Sequence, residues 1–567
     1  MNDMSFKNVF VFFCCVCLSS MLLPAQQVVS HNRYLVYFTD KSTSAYTTND
    51  SALFLSPRAL QRRQQQQIQV NESDVPVSQS YMDSITATGA VIVQKSNWFN
   101  YVCIQISDSA QLTAILQKPF VQSAKLVNRM ASGNKQAQVN KFEMDDQLSA
   151  PALSAATSAS ASSLNYGNSY NQIHMLGGEV LHDLNYRGQG MQIAVFDAGF
   201  PNVTTLPAFD SLNMDGRLLG YRNVVQNNNT VFAPSMNQHG TNTLSCMAAY
   251  KDGQLIGTAP KASYYLFVTE EVNSETPYEE VCWNRAAELA DSLGVDIISS
   301  SLGYTTFDYA PLSYTHASMN GDIAISTRAA DMAASKGILV VNSAGNAGAT
   351  PWRIMGAPAD GDSVLSIGAV DNMGSIASFS SRGNTADGRI KPDVCAQGVS
   401  TVLAASSGGF FTGNGTSFSG PIIAGMAACL WQYLPNLTNV QLMNLIREYS
   451  TQYSNPDSLL GYGIPNFSLA VQQIVSAVLQ TDEPLKAVFP TVFQDQLKMI
   501  YQTSDTETIR TSILHSSGKL VAEKSFSTMG HTNNLLTWDN LQLSSGVYTL
   551  LIHTSKETLY RKVVCVK

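Results

Sequence analysis

The stretch Met191–Phe200, MQIAVFDAGF, holds an unbroken apolar run that stops at an acid, an alanine and a glycine. A strand with one wet face alternates apolar and polar residues. A run such as Ile193-Ala194-Val195-Phe196 instead reads as a strand covered on both faces. Comparable runs follow at Ser263–Val268, Val295–Ile298, Ile338–Val341 and Val364–Val370, with helical segments between them. That alternation predicts an α/β domain, a mostly parallel sheet with helices on both faces, from Met191 to about Ser476. In such a sheet chemistry gathers beyond the carboxyl ends of the strands, where Asp197 stands.

Working outward, 567 residues predict two to four domains, and an apolar share of 44% against 13% charged permits a large core. The net charge of −8 is mild and no basic patch with interleaved aromatics occurs, so nucleic acid is excluded as a partner. Lys7 precedes the apolar run Val9–Leu23 and then Pro24-Ala25-Gln26, which predicts a signal peptide over residues 1–25. A membrane anchor is the alternative, but the run is short for one. A lipoprotein is rejected, because Phe13, Cys14 and Val16 precede Cys14, Cys15 and Cys17 and none is suitably small. The other six cysteines (Cys103, Cys246, Cys282, Cys395, Cys429 and Cys565) lack metal-ligand spacing. Buried free thiols are expected, with a disulfide left open.

Residues 26–146 mix short alternating runs (Tyr34–Phe38, Val91–Val93) with helical stretches near Ser56–Gln67 and Tyr81–Thr88, predicting a small α+β domain. Residues 147–164 carry the tract SAPALSAATSASASSL, an exposed linker of the kind proteases cut. After the α/β domain (165–476), residues 485–567 hold strand-like pieces at Leu497–Tyr501, Thr511–His515, Val547–His553 and Leu559–Val566 between Ser/Gly turns, predicting a small all-β sandwich.

Four groups in the α/β region could act together. Asp197 closes the first strand, and His239 in Asn237-Gln238-His239-Gly240-Thr241 opens a helix expected over Thr241–Tyr250. Asn346 follows a glycine after the strand Val340–Val341, where an amide could face a developing oxyanion. Ser417 lies in GNGTSFSGP (Gly413–Pro421), a turn entering a helix. Singly, each has a bland reading: a cap, a solvated histidine, a turn asparagine, a polar loop. Together they supply nucleophile, base, orienter and oxyanion donor. The chain order Asp197…His239…Ser417 is neither the lipase order nor the chymotrypsin order, and it is the order of subtilisin.

From about Gly188 to Val475 the chain resembles the subtilisin-like serine proteases, block by block. IAVFDAG resembles the family's aspartate block, HGT its histidine block, SSSLG (Ser299–Gly303) its cleft segment, and SAGN its oxyanion block. Ser378–Gly398 resembles the segment before the serine block, and GTSFSGPIIAG the serine block itself. Ala198, Asn242, Phe418, Asn384 and Gln397 depart from residues usual there, without removing a catalytic group.

The resemblance implies a secreted serine endopeptidase made as a zymogen, with Asp197, His239 and Ser417 catalytic and Asn346 in the oxyanion hole. Ser301, Leu302, Gly303, Ala344 and Gly345 would bind substrate. No cofactor is implied for the chemistry. Calcium often supports the family, but no EF-hand loop is present and no ligands are assigned. Arg33–Arg129 resembles a subtilase propeptide, the alternative being a permanent module. Leu485–Lys567 is similar to the C-terminal sorting domain of type IX secretion substrates, the alternative being a generic binding sandwich. Thr491-Val492 and the late Cys565 depart from that pattern. The implied partners are protein or peptide substrates, the chain's own propeptide and the secretion machinery. The implied location is outside the cell or on the outer membrane of a Gram-negative bacterium. Rival readings are an inactive binding or adhesion protein, which would be expected to have lost a triad member, and a structural β-protein, which leaves the four groups unexplained. Esterase activity is a possible accompaniment.

Overall fold

A computed structural model describes residues 32–129, 163–471 and 484–565, apart from 490, 491, 494 and 531. The expected signal peptide and most of the Ala/Ser linker lie outside the described residues.

The N-terminal unit runs β1 (Asn32–Phe38), α1 (Pro57–Gln65), α2 (Gln79–Thr86), β2 (Val91–Ser96), β3 (Tyr101–Ile106), α3 (Ser109–Leu116) and β4 (Val121–Asn128). Its antiparallel sheet has the order β2-β3-β1-β4. Pro57 opens α1, where its missing N–H costs nothing, and the Ser56 hydroxyl caps the Ala59 N–H at 3.1 Å. One face of the sheet (Val36, Val102, Ile104) packs on Met82, Ile85 and Ile115 of its own helices. The other face (Leu35, Tyr101, Cys103) shares a core with the next domain.

In that domain α4 (Tyr170–His174) and α5 (Glu179–Asp183) precede β5 (Gln192–Asp197), α6 (Asp210–Met214), β6 (Leu218–Asn223) and α7 (His239–Ala248). A small hairpin, β7 (Tyr250–Lys251) and β8 (Leu255–Ile256), leads to β9 (Ser263–Val268), α8 (Pro277–Leu293) and β10 (Ile297–Ser300). Then come α9 (Ile325–Ser335), β11 (Leu339–Ser343), β12 (Val364–Val370), β13 (Val394–Gln397), a second hairpin of β14 (Thr401–Ala404) and β15 (Phe410–Gly413), α10 (Thr416–Tyr433) and α11 (Asn439–Glu448). The seven-stranded sheet has the order β13-β12-β11-β10-β5-β9-β6, and every pairing in it is parallel.

Strand β5 feeds two cores, as its unbroken apolar run requires. Ile193 and Val195 point to the side of α7 and α10, and Ala194 and Phe196 to the side of α8 and α9. The sequence runs miss two strands. β6 is the sheet edge and only half-buried, so it alternates instead of running apolar, and β13 has only four residues. Because β5 is flanked by β9 and β10, whose connections leave in opposite directions, the sheet's crevice opens at its carboxyl end.

The C-terminal unit is a sandwich of a three-stranded and a five-stranded sheet between Leu485 and Cys565. Leu497, Ile513, Trp538 and Leu550 are buried between them. The six cysteines outside residues 1–25 are buried free thiols. Among the described residues no helix is long and apolar enough to cross a membrane.

Candidate active site

Asp197 is the last residue of β5 and is fully buried. A buried carboxylate must be satisfied by donors, and three reach it. Its Oδ1 accepts from the Ala198 N–H at 2.7 Å and from His239 Nδ1 at 2.8 Å, and its Oδ2 accepts from the Thr243 hydroxyl at 3.0 Å. The bond from Nδ1 fixes the tautomer, leaving Nε2 as the basic nitrogen of the neutral ring. His239 is the first residue of α7, two residues earlier than the helix start expected from sequence. Gly240 allows this approach, because a Cβ there would lie 2.3 Å from the Gly199 carbonyl oxygen and 2.9 Å from Asp197 Cβ.

Thr243 was not among the residues the sequence singled out. It sits four residues after His239, hence on the same helix face, and that spacing was the available signal. The structure thus gives the carboxylate a hydroxyl partner although Ala198 offers none.

Ser417 is the second residue of α10 and is 4% exposed. Pro421 stands four residues later without an N–H, so the Ser417 carbonyl has no helical donor. The Ser301 hydroxyl takes that place at 2.8 Å. Phe418, buried behind Ser417, has its ring centroid 6.1 Å from that of His239. The Thr416 carbonyl likewise accepts from the Ser343 hydroxyl at 2.9 Å, which ties α10 to the end of β11.

Asn346 lies just beyond β11, and its orientation is set by α10. Its Oδ1 accepts from the Thr416 N–H at 3.0 Å and the Thr416 hydroxyl at 2.9 Å. A backbone N–H can only donate, so the carboxamide cannot be flipped, and Nδ2 is the arm turned from Thr416. Gly345, at φ 102°, makes the turn that brings Asn346 back over the helix start, and its N–H bonds Thr416 Oγ1 at 3.1 Å.

Ser417, Thr416 and Asn346 line a cleft of about 530 Å³, together with Ser301, Leu302 and Gly303. Gly345 also lines it, whereas Ala344 is buried behind, its N–H bonded to the Ile367 carbonyl at 2.8 Å. The Ser301 hydroxyl is engaged with α10, so of Ser301 the backbone remains for a ligand. Among the described residues no group of three or more His, Cys, Asp or Glu is placed to hold a metal ion.

Residues 188–463 match the Subtilase family, residues 33–143 the Peptidase S8 propeptide domain of Bacteroidota, and residues 487–567 the Secretion system C-terminal sorting domain. Subtilisin E of Bacillus subtilis (strain 168) is 28% identical over 359 residues, covering 63% of this chain and 83% of that protein. Subtilisin of Bacillus pumilus is 29% identical over 314 residues, covering 55% of this chain and 100% of that one. Serine protease AprX of Bacillus subtilis (strain 168) is 29% identical over 310 residues, covering 49% and 65%. The sorting domain and the propeptide type mark a secreted or cell-surface protein of Bacteroidota. With a central domain that matches the Subtilase family and its own propeptide before it, the protein is a serine-type endopeptidase made as a zymogen.

Proposed function

We propose that Ser417, His239 and Asp197 form the catalytic triad of this endopeptidase, with Asn346 as an oxyanion donor. The Nδ1–Oδ1 bond of 2.8 Å between two fully buried side chains at the sheet's crevice carries this reading. Ser417 Oγ attacks the scissile carbonyl while His239 Nε2 takes its proton and later delivers it to the leaving amine. Asp197 stays ionised and stabilises the imidazolium. The Asn346 amide and the Ser417 N–H hold the oxyanion, each such donor contributing about 3–4 kcal/mol in the transition state. The N-terminal dipole of α10 adds to that field. An extended peptide pairs as an added strand with the backbone of Ser301, Leu302 and Gly303, with Gly345 and the neighbouring Ala344 on the opposite wall. Its partners are protein or peptide substrates, and no cofactor takes part in the chemistry.

The domains are a signal peptide over residues 1–25, a propeptide over 26–146, a cleavable linker over 147–164, the peptidase over 165–476 and the sorting sandwich over 485–567. The test compares protein expressed without residues 1–25 with its Ser417→Ala variant, both checked for folding by circular dichroism. The parent should lose the propeptide, cut casein and label covalently with a fluorophosphonate probe, and the variant should do none of these. A folded parent that, even after added protease has removed the residues before Leu164, neither labels nor cuts would replace this reading with that of a binding protein.

A further inference from the structure

The donors to Asp197 are shared unevenly between its two oxygens. Oδ1 takes the Ala198 N–H at 2.7 Å and His239 Nδ1 at 2.8 Å, while Oδ2 has one donor among the described residues, the Thr243 hydroxyl at 3.0 Å. The last torsion of an aspartate is soft and roughly two-fold, so the rotamer by itself does not fix where the two oxygens lie. Donors that meet at Oδ1 restrain the carboxylate through that atom alone. The donor on Oδ2 is what sets its plane.

Thr243 is built into that position. The first turn of α7 is fastened to the chain just past β5. There the Thr241 hydroxyl donates to the Pro201 carbonyl at 2.9 Å, and Gly240 lies against the Gly199 carbonyl. Helical side chains lean toward the helix N-terminus, so Thr243, one turn after His239, reaches back to the acid beside the imidazole. Its oxygen also lies 3.2 Å from the Gly240 carbonyl, the local bond that a helical threonine ordinarily makes. The hydroxyl has one proton, and the anion is both the stronger acceptor and the nearer one, so the proton goes to Oδ2. Thr243 is 1% exposed and Asp197 fully buried, and without this hydroxyl Oδ2 would be an anionic oxygen sealed from water with no donor.

Resting on the proposed triad, we infer that Thr243 is a positioning residue of the reaction, its hydroxyl holding Asp197 Oδ2 so that Oδ1 stays aligned on His239 Nδ1 while the imidazole takes the serine proton. Ala198, beside the acid, carries no hydroxyl, and the task falls to α7. Thr243 touches neither the substrate nor the reacting atoms. What it supports is the imidazolium, which forms only as the reaction proceeds, so its loss falls on kcat rather than on KM.

The test uses protein expressed without residues 1–25 and freed of its propeptide by added protease, with Ser417→Ala treated alike as the blank. Hydrolysis of a chromogenic peptide is followed for the parent, for Thr243→Val, which keeps the shape, and for Thr243→Ser, which keeps the hydroxyl. Thr243→Val should lower kcat by about 10- to 100-fold, the worth of one hydrogen bond to a charged group, with KM within about twofold of the parent's. Thr243→Ser should keep at least about a third of the parent's kcat. In an Asp197→Ala background, Thr243→Val should cost no more than about twofold, because the hydroxyl then has no carboxylate to hold. Thr243→Ala, which lacks the hydroxyl and adds no bulk, takes the place of Thr243→Val if circular dichroism shows that variant unfolded. A folded Thr243→Val protein with the parent's kcat overturns the inference and leaves the triad intact. A loss in Thr243→Ser as large as that in Thr243→Val overturns it too, as does an equal loss with and without Asp197. A folded parent that neither exceeds the Ser417→Ala blank nor labels with a fluorophosphonate overturns the triad, and the inference falls with it.

Discussion

Thr416 precedes the proposed nucleophile and touches no substrate in the proposed mechanism, yet its hydroxyl should matter to the rate. It donates to Asn346 Oδ1 at 2.9 Å and accepts from the Gly345 N–H at 3.1 Å, in a fully buried position. Thr416→Val keeps the shape and removes both bonds, leaving the Thr416 N–H as the remaining donor to the carboxamide. One net hydrogen bond is worth about 1 kcal/mol, so the transition state should lose its oxyanion donor's alignment by that amount, about fivefold in kcat. Asn346→Ala removes the donor outright and should cost about 10²–10³-fold, a magnitude that comes from this family's own oxyanion donor. The decisive quantity is the double mutant. If Thr416 acts through Asn346, adding Thr416→Val to Asn346→Ala should cost no more than about twofold, a coupling of about 0.5–1 kcal/mol. The assay is steady-state hydrolysis of a chromogenic peptide, normalised to fluorophosphonate-titrated sites. Equal losses from Thr416→Val in both backgrounds would refute the positioning argument.

Two further outcomes concern the precursor and its acid stability. Asp291 of α8 is 2% exposed and accepts Arg63 Nη2 at 2.6 Å and Arg62 Nη2 on its other oxygen, both arginines coming from the propeptide's α1. Asp291→Ala leaves the buried Arg62 without its carboxylate partner, while Arg63 keeps Asp74, a loss of about 3 kcal/mol, so the propeptide should inhibit the processed enzyme about 100-fold more weakly. An inhibition constant within threefold of the parent's would contradict this. His182 is buried, its Nε2–H donating to the Thr258 carbonyl at 2.9 Å and its Nδ1 accepting the Tyr166 hydroxyl at 2.9 Å. Burial lowers its pKa from the ordinary 6.5 to about 4. The unfolded chain therefore takes up the proton first as pH falls through that window, and stability should drop by about 3 kcal/mol between pH 6.5 and 4. Urea melts of the Ser417→Ala protein against its His182→Gln derivative check this; equal slopes against pH would reject it.

The sequence by itself determined the kinds of chemical group and their order along the chain. Asp197, His239, Asn346 and Ser417 could be picked out because strand ends and helix starts leave local marks, an apolar run that stops or a small-residue turn. The central strands were legible for a related reason. A strand buried on both faces must be apolar throughout, while the half-buried edge β6 and the four-residue β13 carry no such mark.

Tertiary structure decided what those groups touch. That Thr243 bonds Asp197 follows from the angle at which α7 meets the end of β5. That Asn346 presents its nitrogen away from Thr416 depends on a residue 70 positions later. The Ser301 hydroxyl, 116 positions from Ser417, serves a carbonyl that Pro421 leaves without a helical donor. The cleft likewise brings together Glu270 after β9 and Asp308 after β10, which line one cavity only when the parallel sheet has set their strands in place. Hydrogen bonds and fields act over a few ångströms in space, and sequence separation carries no information about such distances until the strands have paired and the helices have packed.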